Sequence, residues 1–266
     1  MLRSIAFCAL FFTCLGHTEA QERPQITRHK FKIGPKAGLQ VQTPRDLREN
    51  LSENIQINPT LGFNVGGIMN YKVTERFSLQ TELAYVQRSR NLDGGINDMY
   101  QNRSTYHFIE LPVLCRVTYE QRGWSWYFNA GGNFSYWLSG DGSLYSYEFV
   151  DYGIFTPAPY DIRFEPKPQG YDPEYAVYLE QPNRIQLGID LGFGFYFDIA
   201  EKQYFNLDFR YTLGQSWMAI DKPFDMNIYE QKEDLRHTFH TLAVNLGWIF
   251  DFDPMDSRKG KSSRRK

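Results

Sequence analysis

The sequence predicts an all-β protein, an eight-stranded antiparallel up-and-down transmembrane β-barrel with four long extracellular loops. Three observations predict this fold. Apolar residues alternate with polar residues or glycine in eight segments, and a period of two gives a strand one apolar and one polar face. The connections alternate between long and short, as in outer-membrane barrels. The apolar parity of these segments carries no Asp, Glu, Lys or Arg, each of which would cost about 2–4 kcal/mol at the bilayer midplane.

The sixth segment shows the alternation most clearly. From Arg184 to Ile199 every odd position is apolar, and the segment exceeds the roughly 9–11 residues that a tilted strand needs to cross a bilayer. The apolar parity is odd in the first four segments and in the sixth and seventh, and even in the fifth and eighth. In chain order the segments span residues 31–41, 60–71, 77–88, 109–118, 124–138, 184–199, 205–213 and 241–252.

The connections between the segments assign the two sides of the membrane. Three are tight turns, K-V-T-E-R, E-Q-R-G and A-E-K-Q, which we place in the periplasm together with both termini. The long connections follow the first, third, fifth and seventh segments, and the longest spans residues 139–183. We therefore expect this longest connection to lie outside the cell.

The first 20 residues resemble a signal peptide, with a basic start at Arg3, an apolar run from Ile5 to Leu15 and a small residue at Ala20. Removal of this segment would leave Cys115 as the remaining cysteine, so no intramolecular disulfide could form. The predicted organisation has a signal peptide, an outer-membrane barrel domain and a basic periplasmic tail, at residues 1–20, 21–253 and 254–266.

Alternation alone does not say which face of the barrel is inside, because a secreted lipocalin-like ligand-binding barrel has the same period with its apolar face inward. Glycine is frequent on the polar parity, for example at Gly66, Gly131 and Gly192. A narrow lumen filled by side chains needs such small residues beside large ones. The glycines and the charge-free apolar parity favour a membrane barrel in the cell outer membrane.

The polar parity carries charges of both signs, which predicts a structural network of ion pairs in the lumen, because a buried charge is tolerable only when it is paired. Among these pairs we expect Arg116 to neutralise Glu110. Eight strands leave an interior that side chains fill, so an open pore is not expected. The predicted network consists of Lys32, Lys36, Glu82, Arg88, Glu110, Arg116, Asp190, Asp208 and Arg210.

The longest loop is rich in tyrosine, whose rigid side chain gives contact area at low entropic cost. This composition predicts an extracellular binding loop, and the alternative is that its aromatic residues pack on one another over the barrel mouth. We expect deletion of residues 143–179 to leave barrel assembly intact, because loop length costs little closure entropy. The candidate contact residues are Tyr145, Tyr147, Tyr152, Tyr160, Tyr171, Tyr175 and Tyr178.

Three segments carry a resemblance to a known family. F-K-I-G-P-K-A-G-L-Q in the first strand, Y-H-F-I-E-L-P-V-L-C-R-V in the fourth and G-I-D-L-G-F-G-F-Y-F in the sixth resemble the PorT-like outer-membrane β-barrel family. The resemblance implies an eight-stranded outer-membrane barrel, and one branch of that family belongs to the type IX secretion apparatus.

These observations predict a non-enzymatic scaffold or binding module that contacts outer-membrane lipid, lipopolysaccharide and protein partners of a secretion or surface-assembly complex. We expect no cofactor, and the histidines show no metal-ligand spacing with Cys or acids, so we expect no metal ion. The net charge of −2 argues against nucleic acid as a partner. The alternative is a lipid-A-modifying enzyme, because His240 has the lipid-facing parity near the outer end of the eighth strand. Such enzymes use a His–Ser pair, and no serine lies two residues from His240.

Overall fold

A computed structural model describes residues 31–46, 55–94, 100–151, 153–166, 176–179, 182–219, 224–225, 232–233, 235 and 237–252. The predicted signal peptide and basic tail lie outside the described residues, so the domain boundaries stay predictions. The elements are β1 Phe31–Asp46, β2 Ile55–Asn58, β3 Thr60–Lys72, β4 Phe77–Gly94, β5 Tyr100–Gln121, β6 Trp124–Tyr145, α1 Glu148–Asp151, β7 Ala158–Arg163, β8 Ala176–Tyr178, β9 Ile185–Ala200, β10 Gln203–Gly214, β11 Phe224–Asp225, β12 Lys232–Glu233 and β13 His237–Phe252.

Eight long strands form a closed antiparallel ring, in the order β1, β3, β4, β5, β6, β9, β10, β13 and back to β1. The ring closes where β1 pairs with β13, with Leu39 opposite Val244. Each of the eight predicted segments is one strand of this ring, which confirms the predicted fold class. The short strands β2, β7 and β8 add to the sheet at the end of the barrel that carries the long loops. There β2 pairs with β4, β7 with β6 and β8 with β7.

The apolar parity faces outward and the polar parity faces the lumen. Leu61 on β3 is 75% exposed, whereas its neighbour Thr60 is buried, and the same contrast recurs around the ring. A lipocalin-like barrel has the opposite arrangement, so that alternative is wrong. The outward apolar belt, which on β13 runs from Leu242 to Phe252, marks the membrane-spanning part of the wall. In the described part of the chain, no helix has the length and apolar character needed to cross a membrane.

Two glycines of the polar parity lie where neighbouring strands approach closely. A Cβ atom on Gly66 would lie 2.1 Å from the carbonyl oxygen of Leu83, and one on Gly131 would lie 2.0 Å from that of Val113. These distances are too short for any side chain, so glycine at these positions lets the wall curve tightly around a narrow lumen.

Five strands extend several residues past their predicted segments at the extracellular end, and β4, β5 and β6 extend furthest. Residues 91–94, 100–103 and 139–145 were expected in loops, but they belong to β4, β5 and β6. Above the belt the polarity of the wall inverts, because Leu92, Tyr106 and Leu144 point inward and are buried. The pairing register of β6 shifts opposite His107 and Phe108, because β6 has one extra residue at this point. Beyond this residue, the positions of β6 that pointed outward point inward, and the inward positions point outward.

Candidate functional site

The centre of the lumen is occupied by Arg210 of β10 and the acids around it. Its guanidinium donates to both carboxylate oxygens of Glu82, at 2.7 and 2.8 Å. The same group lies 2.9 Å from Asp208 and 3.9 Å from Asp190. Lys36 makes a further ion pair with Glu82. Charge-assisted hydrogen bonds, the stronger class of hydrogen bond, thereby join β1, β4 and β10 across the barrel. The longer contact of Arg210 with Asp190 adds an ion pair to β9.

The two aspartates of this centre also accept bonds from neutral donors. Asp190 accepts from the Thr212 hydroxyl at 2.6 Å and from the Asn133 amide at 3.2 Å. Asp208 accepts from a tyrosine hydroxyl and two asparagine amides, each at 3.1 Å, and these donors are Tyr127, Asn129 and Asn245. Both carboxylates are therefore saturated with donors, as a buried charge requires.

A second ion pair lies nearer the extracellular side, where Arg88 binds Glu110. Glu110 also accepts from Ser135 at 3.2 Å. The expectation that Arg116 neutralises Glu110 is wrong. Both residues point inward from the same strand, six residues or roughly 20 Å apart, so they lie at different depths in the lumen.

The buried charges of the lumen nearly balance among the described residues. Five cations and four anions are each at most 8% exposed. These residues are Lys36, Arg88, Arg90, Arg116 and Arg210 with Glu82, Glu110, Asp190 and Asp208. Two cavities bounded by this network have volumes of about 20 Å³ each, close to the space of one water molecule. The described strands therefore leave no wide passage at this depth.

The extracellular end is covered by residues of the longest loop. Phe149, Val177 and Leu179 are buried there against the extended wall. The Tyr160 hydroxyl bonds to Ser104 at 2.8 Å. Burial raises the pKa of the Tyr160 phenol, which stays protonated. We call the described residues of this loop between β6 and β9 the cap.

The candidate tyrosines of this loop fall into four groups. Tyr160 and Tyr178 are buried and Tyr145 is half-buried. Tyr147 is 44% exposed. Tyr152, Tyr171 and Tyr175 lie outside the described residues. Sequence reasoning missed Phe155, which at 72% is the most exposed aromatic residue of the described cap.

The periplasmic end of the lumen holds a cavity of about 250 Å³, which we call the vestibule. Lys32, Arg116 and Asp251 are among its lining residues. The Lys32 ammonium lies 3.8 Å from the ring centre of Tyr204 and makes no ion pair with a described carboxylate. Lys32 therefore belongs to the vestibule and not to the central network.

The outer face carries two histidines near the extracellular edge of the belt. His240 is bonded to the Tyr211 hydroxyl at 3.1 Å, not to a serine. Nδ1 of His107 is hydrogen-bonded to the Tyr85 hydroxyl at 2.6 Å, and its Nε2 lies 3.4 Å from Oδ1 of Asp141. Within the described ranges, no three His, Cys, Asp or Glu side chains are grouped as metal ligands.

Comparison with known families decides the class of this barrel. Residues 19–216 match the family model described as "Outer membrane protein beta-barrel domain". The chain belongs to this family. It is therefore a protein of the cell outer membrane, with its long loops outside the cell.

Solved structures of small barrels are similar in fold. OprG from Pseudomonas aeruginosa is 9% identical, with 84% of this chain and 96% of that chain covered and a TM-score of 0.45. The attachment invasion locus protein Ail of Yersinia pestis, in complex with the heparin analogue sucrose octasulfate, is 10% identical, with coverage of 83% and 99% and a TM-score of 0.36. Neisserial surface protein A is 9% identical, with coverage of 84% and 97% and a TM-score of 0.36. No curated protein matches the sequence.

Proposed function

We propose that this protein is a non-enzymatic scaffold or binding module of the outer membrane that serves a secretion or surface-assembly complex. The observation that carries the proposal is the filled lumen, in which paired charges occupy the centre and the cap occupies the extracellular end. A barrel filled by its own side chains offers surfaces to partners instead of a channel.

The cap supplies a rigid surface for such a partner. The segment after α1 is held by backbone bonds from Gly153 to Val150 and from Ile154 to Phe149, at 3.0 and 2.9 Å. Gly153 has a φ of 75°, which favours glycine. Phe155 follows directly and is exposed on this frame. An exposed aromatic side chain on a rigid loop is typical of the residues that dominate binding energy in interfaces.

The secretion role draws on the resemblance to the PorT-like family. Its E-L-P motif corresponds to residues 110–112 of β5, where Glu110 takes part in the ion pair with Arg88 and Pro112 has the inward parity. This position within the lumen fits a structural role for the motif. The resemblance therefore supports a shared barrel architecture.

The test compares partner recovery for two neighbouring substitutions in the cap. Protein is purified from detergent-solubilised outer membrane, and co-purifying proteins are quantified by mass spectrometry. We expect Phe155→Glu to reduce recovery of the partner at least tenfold, because it replaces an apolar contact with a charge. Thr156→Glu adds the same charge at the next exposed position and is expected to leave recovery unchanged.

Two outcomes would contradict the proposal. Equal partner recovery with Phe155→Glu, in a protein that retains heat-modifiable gel mobility, would remove the cap as the binding surface. Normal delivery of exported proteins to the cell surface in a strain lacking this chain would remove the secretion role.

A lipid-A-modifying activity has less support. Acyl transfer needs a nucleophile activated by an adjacent base, and the bond of His240 goes to a tyrosine. The chain of Tyr85, His107 and Asp141 is the nearest arrangement on the outer face. Release of acyl chains from lipid A by the purified protein, abolished by His107→Ala, would favour the enzyme instead.

A further inference from the structure

The vestibule is lined by a buried arginine with two donors that no described residue accepts. Arg116 is 1% exposed and lines the vestibule. Its Nη1 donates to the Tyr196 hydroxyl. Its Nε and Nη2 are buried and have no hydrogen-bond partner among the described residues. These two atoms form one edge of the guanidinium, and such an edge can bind a carboxylate through two parallel bonds.

The Arg116 guanidinium is held by a stacked tyrosine ring on its face as well as by the hydrogen bond at Nη1. Its guanidinium carbon lies 3.5 Å from the ring centre of Tyr127, and stacking of this kind stabilises a cation. The nearby carboxylate of Asp208 is already bound by Arg210 and by the Tyr127 hydroxyl. Arg116 is therefore oriented by aromatic groups, while its bidentate edge is left for a partner from elsewhere.

The vestibule also has an acceptor without a described partner. Oδ2 of Asp251 accepts from the Tyr204 hydroxyl at 3.0 Å, whereas its Oδ1 is buried with no hydrogen-bond partner among the described residues. Lys32 lines the same cavity, and its ammonium lies 5.0 Å from the ring centre of Tyr196 and 3.8 Å from that of Tyr204. The two unpaired donors of Arg116 and the unpaired acceptor of Asp251 thus belong to residues that line one cavity.

We propose that the vestibule binds, from the periplasmic side, a small ligand that carries a carboxylate and a neighbouring N–H donor. The carboxylate pairs with the Nε–Nη2 edge of Arg116, and the N–H group donates to Asp251. A volume of about 250 Å³, roughly that of eight water molecules in the liquid, suits a ligand the size of an amino acid. A free amino acid and the carboxyl terminus of a peptide share this chemistry. The site is independent of the extracellular surface invoked for the scaffold role.

The experiment titrates three small probes into the full chain in a non-ionic detergent by calorimetry. L-alanine and N-acetyl-L-alanine both carry the carboxylate, whereas L-alaninamide lacks it. We expect both carboxylates to bind at least tenfold more tightly than the amide. Tighter binding of L-alanine would identify a free amino acid as the ligand type, and tighter binding of the acetylated probe would identify a peptide terminus.

Two variants and a control assign the binding to the named residues. Arg116→Lys keeps the charge but removes the bidentate edge and is expected to weaken both carboxylates at least tenfold. Asp251→Asn is expected to weaken L-alanine more than N-acetyl-L-alanine, since it removes the charge opposite the ammonium. Arg122→Lys makes the same substitution in an exposed turn and is expected to change nothing.

Equal binding of L-alanine and L-alaninamide by the unmodified protein would overturn the proposal, and this comparison needs no variant to fold. An effect of Arg122→Lys as large as that of Arg116→Lys would also overturn it. So would unchanged binding in an Arg116→Lys protein that retains heat-modifiable mobility.

Discussion

Replacement of Arg210 by methionine tests whether the lumen is held together by its central charges. The guanidinium makes three contacts of 2.7–2.9 Å with the carboxylates of Glu82 and Asp208. The substitution keeps a long side chain in the lumen but removes the cation that contacts both carboxylates. The expected result is a large loss of unfolding free energy.

The structure sets the size of this loss. Removal of one partner of a buried ion pair costs about 3–5 kcal/mol. Glu82 keeps its ion pair with Lys36, and Asp208 keeps three neutral donors, among them Asn129 and Asn245. We therefore expect the lower end of this range, about 3 kcal/mol. Adding Glu82→Gln removes the carboxylate that Arg210 binds, so the double variant should be less destabilised than the sum of the single changes by at least about 1 kcal/mol.

The assay is reversible urea unfolding of the barrel in phospholipid vesicles, followed by tryptophan fluorescence. Arg122→Met, in an exposed turn, is the matched control and should cost less than about 0.5 kcal/mol. A loss below about 1 kcal/mol for Arg210→Met, or strictly additive effects in the double variant, would refute the reasoning that this charge is both buried and paired.

The remaining predictions concern the two ends of the barrel and its lipid face. Deletion of residues 143–179 should abolish heat-modifiable mobility, because it removes buried residues of the cap, and normal mobility would restore the view that this loop is dispensable. Burial and the Arg90 guanidinium lower the pKa of His237 well below its ordinary value of about 6.5. The unfolded chain therefore gains a proton that the folded chain does not. Unfolding free energy should fall as the pH drops below about 6.5, by up to about 1.4 kcal/mol per pH unit, and His237→Gln should flatten this slope. Planar bilayers containing the protein should show no steady conductance, and a stable open channel would contradict the filled lumen. His240→Ala should leave the acyl chains of lipid A unchanged by mass spectrometry, as should the unmodified protein.

The sequence by itself determined the eight strands, their order in the ring and the side of the membrane on which each connection lies. Alternation is a local property, since successive side chains of any strand point to opposite faces. The direction of the polar face could also be read locally, because charge-free apolar positions and lumen glycines such as Gly66 and Gly131 suit one orientation only.

Above the membrane belt the strands continue, but the apolar side chains lie on the opposite face of the wall. Inward and outward side chains still alternate through Leu92 and Leu144, and there the apolar side chains point inward. Their surroundings change from lipid to water, so the outward face becomes polar. The extra residue of β6 opposite His107 also exchanges faces without any local sequence signal. The predicted strands therefore ended too early on this side.

Only the tertiary structure decided which lumen charges meet. Partners across a barrel depend on the tilt and stagger of its strands, which bring Arg210 to Glu82 over 128 positions of sequence. The same stagger places Arg88, not Arg116, beside Glu110. Arg116 is thereby left at the periplasmic depth among aromatic rings, with an edge that no described residue pairs and that no sequence pattern indicates. Charge composition could predict that charges of both signs fill the lumen, whereas the pairing between them required the closed ring.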